Sequence, residues 1–179
     1  MEKRVLFAGN PEQDILYVSH IFVEAAIEAG WYAMRLTSGV RAGVAHCTVA
    51  ISHQPISNTS YAPPDIGVFF SLPAADRFEQ TIMPNGLLVM NATAIRRPIL
   101  RHDVDVALVP TTPEEEECDP TLSALILLGA LIALTGWTSQ EEMIGAVRRA
   151  CSKGEACRAL LRGMAFVRDI VDLSAYALI

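Results

Sequence analysis

Arg4-Val5-Leu6-Phe7-Ala8-Gly9-Asn10-Pro11-Glu12-Gln13 is the stretch that decides the fold. A short β-type run stops at a glycine. Asn10 then offers an N-cap, Pro11 a first helical position, and Glu12 and Gln13 a polar first turn. Apolar residues follow at Ile15, Val18, Phe22, Ala25, Ala26 and Ala29, spaced for one buried helix face, and Gly30 ends the run. A second strand is expected from Trp31 to about Leu36. Strand, helix and strand at this length read as a βαβ unit, hence a parallel sheet.

Working outward, Thr37–Val44 reads as a loop with Gly39 and Gly43 around Arg41. Ala45–Ser52 alternates as a strand, and a polar, Pro-rich loop runs from His53 to Asp65. Ile66-Gly67-Val68-Phe69-Phe70 is nearly continuous in apolar residues, the pattern of a strand buried on both faces. A short helix is expected at Ala74–Met83, with further strands at Gly86–Asn91 and Val104–Val109. After an acidic stretch, Pro113–Cys118, three helices are expected: Thr121–Leu134, Gln140–Cys151 and Gly154–Val171. No linker or internal repeat divides the chain. The expectation is one α/β domain over residues 1–179, with a mainly parallel sheet flanked by helices and a helical C-terminal third.

The chain has 179 residues, 51% hydrophobic and 19% charged, enough to bury one sizeable core. Fourteen basic against twenty acidic residues leave a net charge of −6, which argues against a generic binder of nucleic acid or anionic membrane. Met1-Glu2-Lys3-Arg4 leads straight into the first strand without the pattern of a secretory signal. Cys47, Cys118, Cys151 and Cys157 form no Cys-x-x-Cys pair, so a reducing cytoplasm is expected. From Leu122 to Leu134 only Ser123 is polar. Such a helix covers about 20 Å, short of the ~30 Å of a bilayer core, so no membrane span is expected. It must still be buried, in the domain core or under a partner subunit.

Few constellations carry chemistry. The turn after the first strand is where doubly wound sheets cradle phosphates on backbone N–H groups. Pro11 has no N–H to give there, and Glu12 and Asp14 would repel a phosphate. Arg41, between two glycines, can grip a carboxylate or phosphate through two parallel hydrogen bonds. His20, His46, His53 and His102 lack metal-ligand spacing, and His46 and Cys47 point to opposite faces of one strand. No Ser elbow, zincin motif or P-loop is present, so neither a catalytic nor a metal-binding residue is assigned. Glu114–Glu117 reads as a solvated acidic run. Six of the fourteen basic residues, Arg148, Arg149, Lys153, Arg158, Arg162 and Arg168, form a solvated helix face or a docking surface. The sequons at Asn58 and Asn91 have no meaning without secretion.

The ordered pieces resemble a known family. Strand, Gly-initiated helix and the Arg41 loop are followed by Cys47-Thr48-Val49-Ala50-Ile51-Ser52 and Gln54-Pro55-Ile56. Further along come Pro64-Asp65, the Asn85-Gly86 turn and Leu127-Leu128-Gly129-Ala130. Over residues 4 to 170 this is similar to the gamma subunit of 2-oxoacid:ferredoxin (or other acceptor) oxidoreductases. The family pattern after the first strand is Gly-x-Gly-Gly-Gln-Gly; this chain keeps Gly9 and Gln13 but carries Pro11, Glu12 and Asp14. Where the family has Arg-Gly-Gly, this chain has Arg41-Ala42-Gly43.

The resemblance implies a subunit of a complex that oxidatively decarboxylates a 2-oxoacid to an acyl-CoA. Thiamine diphosphate and iron–sulfur clusters would lie on companion subunits, coenzyme A would accept the acyl group, and ferredoxin or a similar acceptor would take the electrons. The matched positions for cofactor contact are Gly9, Gln13, Arg41 and Gly43. The rival expectation is a stand-alone α/β module for a small anionic ligand held by Arg41, or a purely structural interaction subunit.

Overall fold

The computed structural model describes residues 2–57, 62–111, 120–151 and 154–176, with side chains to position 170. Strands β1 (Lys3–Gly9), β2 (Tyr32–Arg41), β3 (Val44–Ser52), β4 (Ile66–Phe69), β5 (Leu87–Asn91) and β6 (Asp105–Val109) form one sheet in the order β2-β3-β1-β4-β5-β6. The helices are α1 (Ile15–Glu28), α2 (Leu72–Phe78), α3 (Pro120–Thr135), α4 (Gln140–Ala150) and α5 (Gly154–Tyr176). β1 is parallel to β4, β4 to β5 and β5 to β6, while β3 runs antiparallel to both β1 and β2. Five strands therefore share one direction, and the expected mainly parallel α/β domain is what forms.

The topology differs from a simple βαβ unit. β1 and β2 run in the same direction, but they are not neighbours: β3 inserts between them. The reason lies in the segment expected to be a loop. Thr37–Arg41 continues β2, and Arg41 pairs with Val44 across a turn of only Ala42 and Gly43. Both turn residues have positive φ, 50° and 77°, the twist that lets a two-residue hairpin close. A tight hairpin forces β3 beside β2, and the crossover through α1 must then span one strand.

The first helix also begins later than its cap pattern implies. Pro11–Gln13 forms a single 3-10 turn, Asp14 turns left-handed at φ 48°, and α1 starts at Ile15. Gln13 accounts for the break, because its Oε1 accepts from the Asn10 N–H at 2.7 Å and its Nε2 donates to the Phe70 carbonyl at 3.1 Å. With its amide spent on these partners, the turn is held against the sheet and does not run on into the helix. The short helix expected from Ala74 starts at Leu72 and tightens into a 3-10 turn at Glu79–Thr81.

Side chains alternate across the sheet into two apolar layers. Val5, Phe7, Cys47, Val49, Val68 and Val89 pack against α1, α3, α4 and α5. Leu6, Ala8, Phe69, Leu88 and Met90 pack against α2 on the other face. The apolar helix α3 is buried within this chain: Ser123 to Ile132 are all covered. Burial on every side, between the sheet and α5, explains its lack of a polar face. No helix among the described residues is long and apolar enough to cross a membrane.

Trp31 Nε1 donates to the Trp137 carbonyl at 2.7 Å, tying the start of β2 to the α3–α4 connection. The acidic stretch Pro113–Cys118, the Asn58 sequon and Lys153 lie outside the described residues. Asn91 is buried, which closes the second sequon.

Candidate functional site

In open sheets of this kind ligands gather beyond the carboxyl ends of the parallel strands, where neighbouring strands send their connections to opposite faces. Here that point lies between β1 and β4, because β1 leads to α1 on one face and β4 to α2 on the other. The two strands are stitched there by the Phe70 N–H, which donates to the Ala8 carbonyl at 2.9 Å.

The crevice is occupied by the chain's own polar groups. The Phe70 carbonyl accepts from Gln13 Nε2 and, at 3.2 Å, from Asn91 Nδ2. Asn91 Oδ1 in turn accepts from the Thr111 hydroxyl at 3.0 Å and from the Thr93 and Ala94 N–H groups at 3.0 and 3.2 Å. The network joins the ends of β1, β4, β5 and β6. Asp14 Oδ2 accepts from the Thr121 hydroxyl at 3.0 Å, which attaches the start of α3 to the same loop.

Gly9 is packed from three sides. A Cβ there would meet the Gln13 side-chain oxygen, and would lie 2.9 Å from both Ile15 Cδ1 and Phe70 Cβ. Gly9 thus lets the 3-10 turn close over the strand end. Gly43 is the reverse case, with open space around its Cα and a φ of 77° that serves the hairpin turn.

Register brings the four sequence-predicted positions to one end of the sheet. Gly9 pairs with Ala45, Ala45 with Val40, and Val44 with Arg41. With one strand between them, β1 and β2 are about 10 Å apart, two inter-strand spacings. Gly9 and Gln13 stand on the β1 side of this edge and Arg41 and Gly43 on the hairpin side.

Arg41 is exposed, and no carboxylate among the described residues pairs with it. Its inner side lines a cavity of about 200 Å³ under the hairpin, together with Thr37, His46 and Thr48. Spacing rules give no role to His46, because no ligand partner lies near it in sequence. Strand alternation was the available signal, since it turns His46 away from the buried Cys47. The cross-strand neighbours Thr37 and Gly39 were invisible without the hairpin register.

Other candidates take structural roles. Burial pushes the Cys47 thiol up, opposed by a hydrogen bond with Ser19 and the charge of Arg35, so it is a protonated core group rather than a nucleophile. His20 pairs with Glu24 at 3.1 Å on the exposed side of α1, and His53 stacks on Trp31 with ring centroids 3.6 Å apart. In the basic cluster, Arg149 pairs with Glu28 at 2.7 Å and Arg158 lies 3.8 Å from Glu155. No group of three His, Cys, Asp or Glu among the described residues could hold a metal ion.

The sequence profile of the pyruvate ferredoxin/flavodoxin oxidoreductase family matches residues 4–166. The 2-oxoglutarate synthase subunit KorC of Methanocaldococcus jannaschii is 30% identical over 124 residues, 68% of this chain. The match spans 66% of that relative, just under two thirds of its length. Among solved structures, the keto/oxoacid ferredoxin oxidoreductase gamma subunit of Geobacter sulfurreducens superposes with a TM-score of 0.79 at 19% identity, covering 93% of this chain and 99% of that one. The 2-oxoglutarate:ferredoxin oxidoreductase of Magnetococcus marinus, solved with 2-oxoglutarate, coenzyme A and succinyl-CoA, gives 0.79 at 15% identity over 96% of this chain and 31% of that one. Pyruvate oxidoreductase subunit PORC of Thermotoga maritima gives 0.63 at 20% identity, covering 91% and 93%. At these identities the structures share the fold. The profile runs from the first strand into the last helix, and this chain belongs to the pyruvate ferredoxin/flavodoxin oxidoreductase family.

Proposed function

We propose that this chain is the gamma-type subunit of a multi-subunit 2-oxoacid:acceptor oxidoreductase, which oxidatively decarboxylates a 2-oxoacid to an acyl-CoA. The observation that carries the reading is the family match over residues 4–166, which takes in all six strands. In such a complex thiamine diphosphate supplies the carbanion chemistry and iron–sulfur clusters take up the electrons, both on companion subunits, with ferredoxin or a similar acceptor beyond them.

This chain's contribution would be a contact with coenzyme A at the end of the sheet that carries Gly9, Gln13, Arg41 and Gly43. Their chemistry divides the work. Pro11 offers no N–H and the Gln13 amide is spent on Asn10 and Phe70, so the loop after β1 does not fit a phosphate cradle. Gly9 and Gln13 shape that loop, Gly43 closes the hairpin, and Arg41 presents a guanidinium without a carboxylate partner among the described residues. A phosphate would therefore be gripped from the hairpin side. A cytoplasmic setting belongs to the same reading.

The test is affinity purification of the tagged chain from its native host under anaerobic conditions, followed by mass spectrometry and assay of thiamine diphosphate and iron. A complex carrying both is the expected result. Recovery of the chain as a lone species overturns the reading.

A further inference from the structure

The cavity beneath the β2–β3 hairpin, about 200 Å³ in volume, lies on the sheet face opposite α1, α3, α4 and α5. Its walls differ in chemistry. Leu6 and Phe78 form an apolar side, and Thr37, Thr48, His46 and Arg41 a polar one. Arg4 also reaches it, but Glu2 Oε1 lies 2.8 Å from its guanidinium and neutralises it. Among the described residues Arg41 has no such partner, and no acidic side chain lines the cavity.

His46 supplies the second observation. Its ring stands 5.4 Å from the Phe78 ring, and its Nδ1 is buried without a hydrogen-bond partner. The remainder of the half-buried ring lines the cavity beside Arg41 and Thr48. A cation without a carboxylate partner among the described residues, an imidazole and an apolar wall on one small cavity define a complementary guest. It is negative at one end, accepts hydrogen bonds there, and is apolar at the other. An apolar cavity of about 150 Å³ takes a benzene, so this one holds roughly six to ten heavy atoms.

We propose that this cavity binds a compact organic anion, its carboxylate or phosphate head on Arg41 and His46 and its short apolar body against Leu6 and Phe78. The inference extends the Arg41 site proposed above, resting on that reading only for the location. It needs no companion subunit, so the purified full chain tests it.

The probes are butyrate, butyl phosphate and 1-butanol, titrated while the His46 side-chain resonances are followed by NMR. Either anion should bind saturably and shift those resonances, and the tighter of the two identifies the preferred head group. Butanol should leave them unmoved. In Arg41→Met, which alters an exposed side chain, anion binding should weaken at least about tenfold with the melting temperature unchanged. In His46→Gln the weakening should be smaller, because an amide can still donate. Butanol binding as tightly as the anions, an unaltered affinity in Arg41→Met, or no saturation by either anion at about 100 mM would each overturn the proposal. Failure here with intact recovery of the complex leaves the subunit reading standing, so the two fail separately.

Discussion

Gly129 on α3 and Gly163 on α5 each lie against the backbone of the other helix. A Cβ on Gly129 would collide with the Leu160 carbonyl, and one on Gly163 with the Ile126 carbonyl. The two helices therefore cross at backbone contact, which is how the buried α3 is covered so completely. Ala normally stabilises a helix interior by about 1 kcal/mol over Gly. Here the obstructing atoms are backbone and cannot rotate away, so overpacking wins. Gly129→Ala and Gly163→Ala should each destabilise by about 2–3 kcal/mol. Denaturant unfolding checks the sign, and a stabilised variant would contradict the crossing.

The hairpin turn predicts the opposite sign at its neighbouring positions. Ala42 holds φ 50° without the hydrogen-bonding side chain that makes this region tolerable, a cost of roughly 1–2 kcal/mol. Ala42→Asn should stabilise by about 1 kcal/mol, since Asn-Gly is the preferred pair for such a turn. Gly43→Ala, at φ 77°, should destabilise by about 1 kcal/mol despite the open space around it. Thermal melts of the two variants should move in opposite directions.

Glu79 is the most buried acid described, 1% exposed. Its Oε1 accepts from the Leu100 N–H at 2.7 Å, and its Oε2 lies 2.8 Å from Arg97, which also reaches Asp76. Arg101 donates to the Glu79 and Ile82 carbonyls, so the segment before β6 is fastened to the turn after α2. Glu79→Ala should cost about 2–3 kcal/mol by leaving the Leu100 N–H without its acceptor and removing the buried half of the Arg97 ion pairing, while Asp76 still holds Arg97. Hydrogen exchange at Leu100 should accelerate in that variant, and unchanged protection would count against this fastening.

Burial pushes the Tyr17 hydroxyl up to about 12, with Cys151 and Asp14 adding to the effect. The neutral phenol is favoured in the folded chain. Its contribution is full below the ordinary tyrosine value near 10 and is lost as pH rises from there through about 12. Stability measured by denaturant should fall across that window, and Tyr17→Phe should flatten the fall. Phenolate absorbance should show one group titrating late in the wild type, missing from the variant.

Local physical chemistry made much of the fold legible. The Gly9 stop, the face at Ile15, Val18 and Phe22, and the apolar run at Ile66–Phe70 each report a property of neighbouring residues, namely dihedral preference or periodic burial. The length of the α3 run against a bilayer belongs to the same class. The neighbourhood of Arg41 was half legible: the residue stood out, while the cavity behind it did not. Thr37, His46 and Arg41 come from two strands whose alignment depends on a turn of two residues.

The sequence by itself determined the α/β class, the strand–helix order and the family, because periodicity, caps and ordered motifs are written along the chain. Only the tertiary structure decided that β3 lies between β1 and β2, and that Gln13 crosses to the Phe70 carbonyl. It likewise decided that α3 is buried under its own α5. Each of these turns on which distant groups meet, and that choice is made by the total burial and hydrogen bonding of the folded chain, not by any one segment of it.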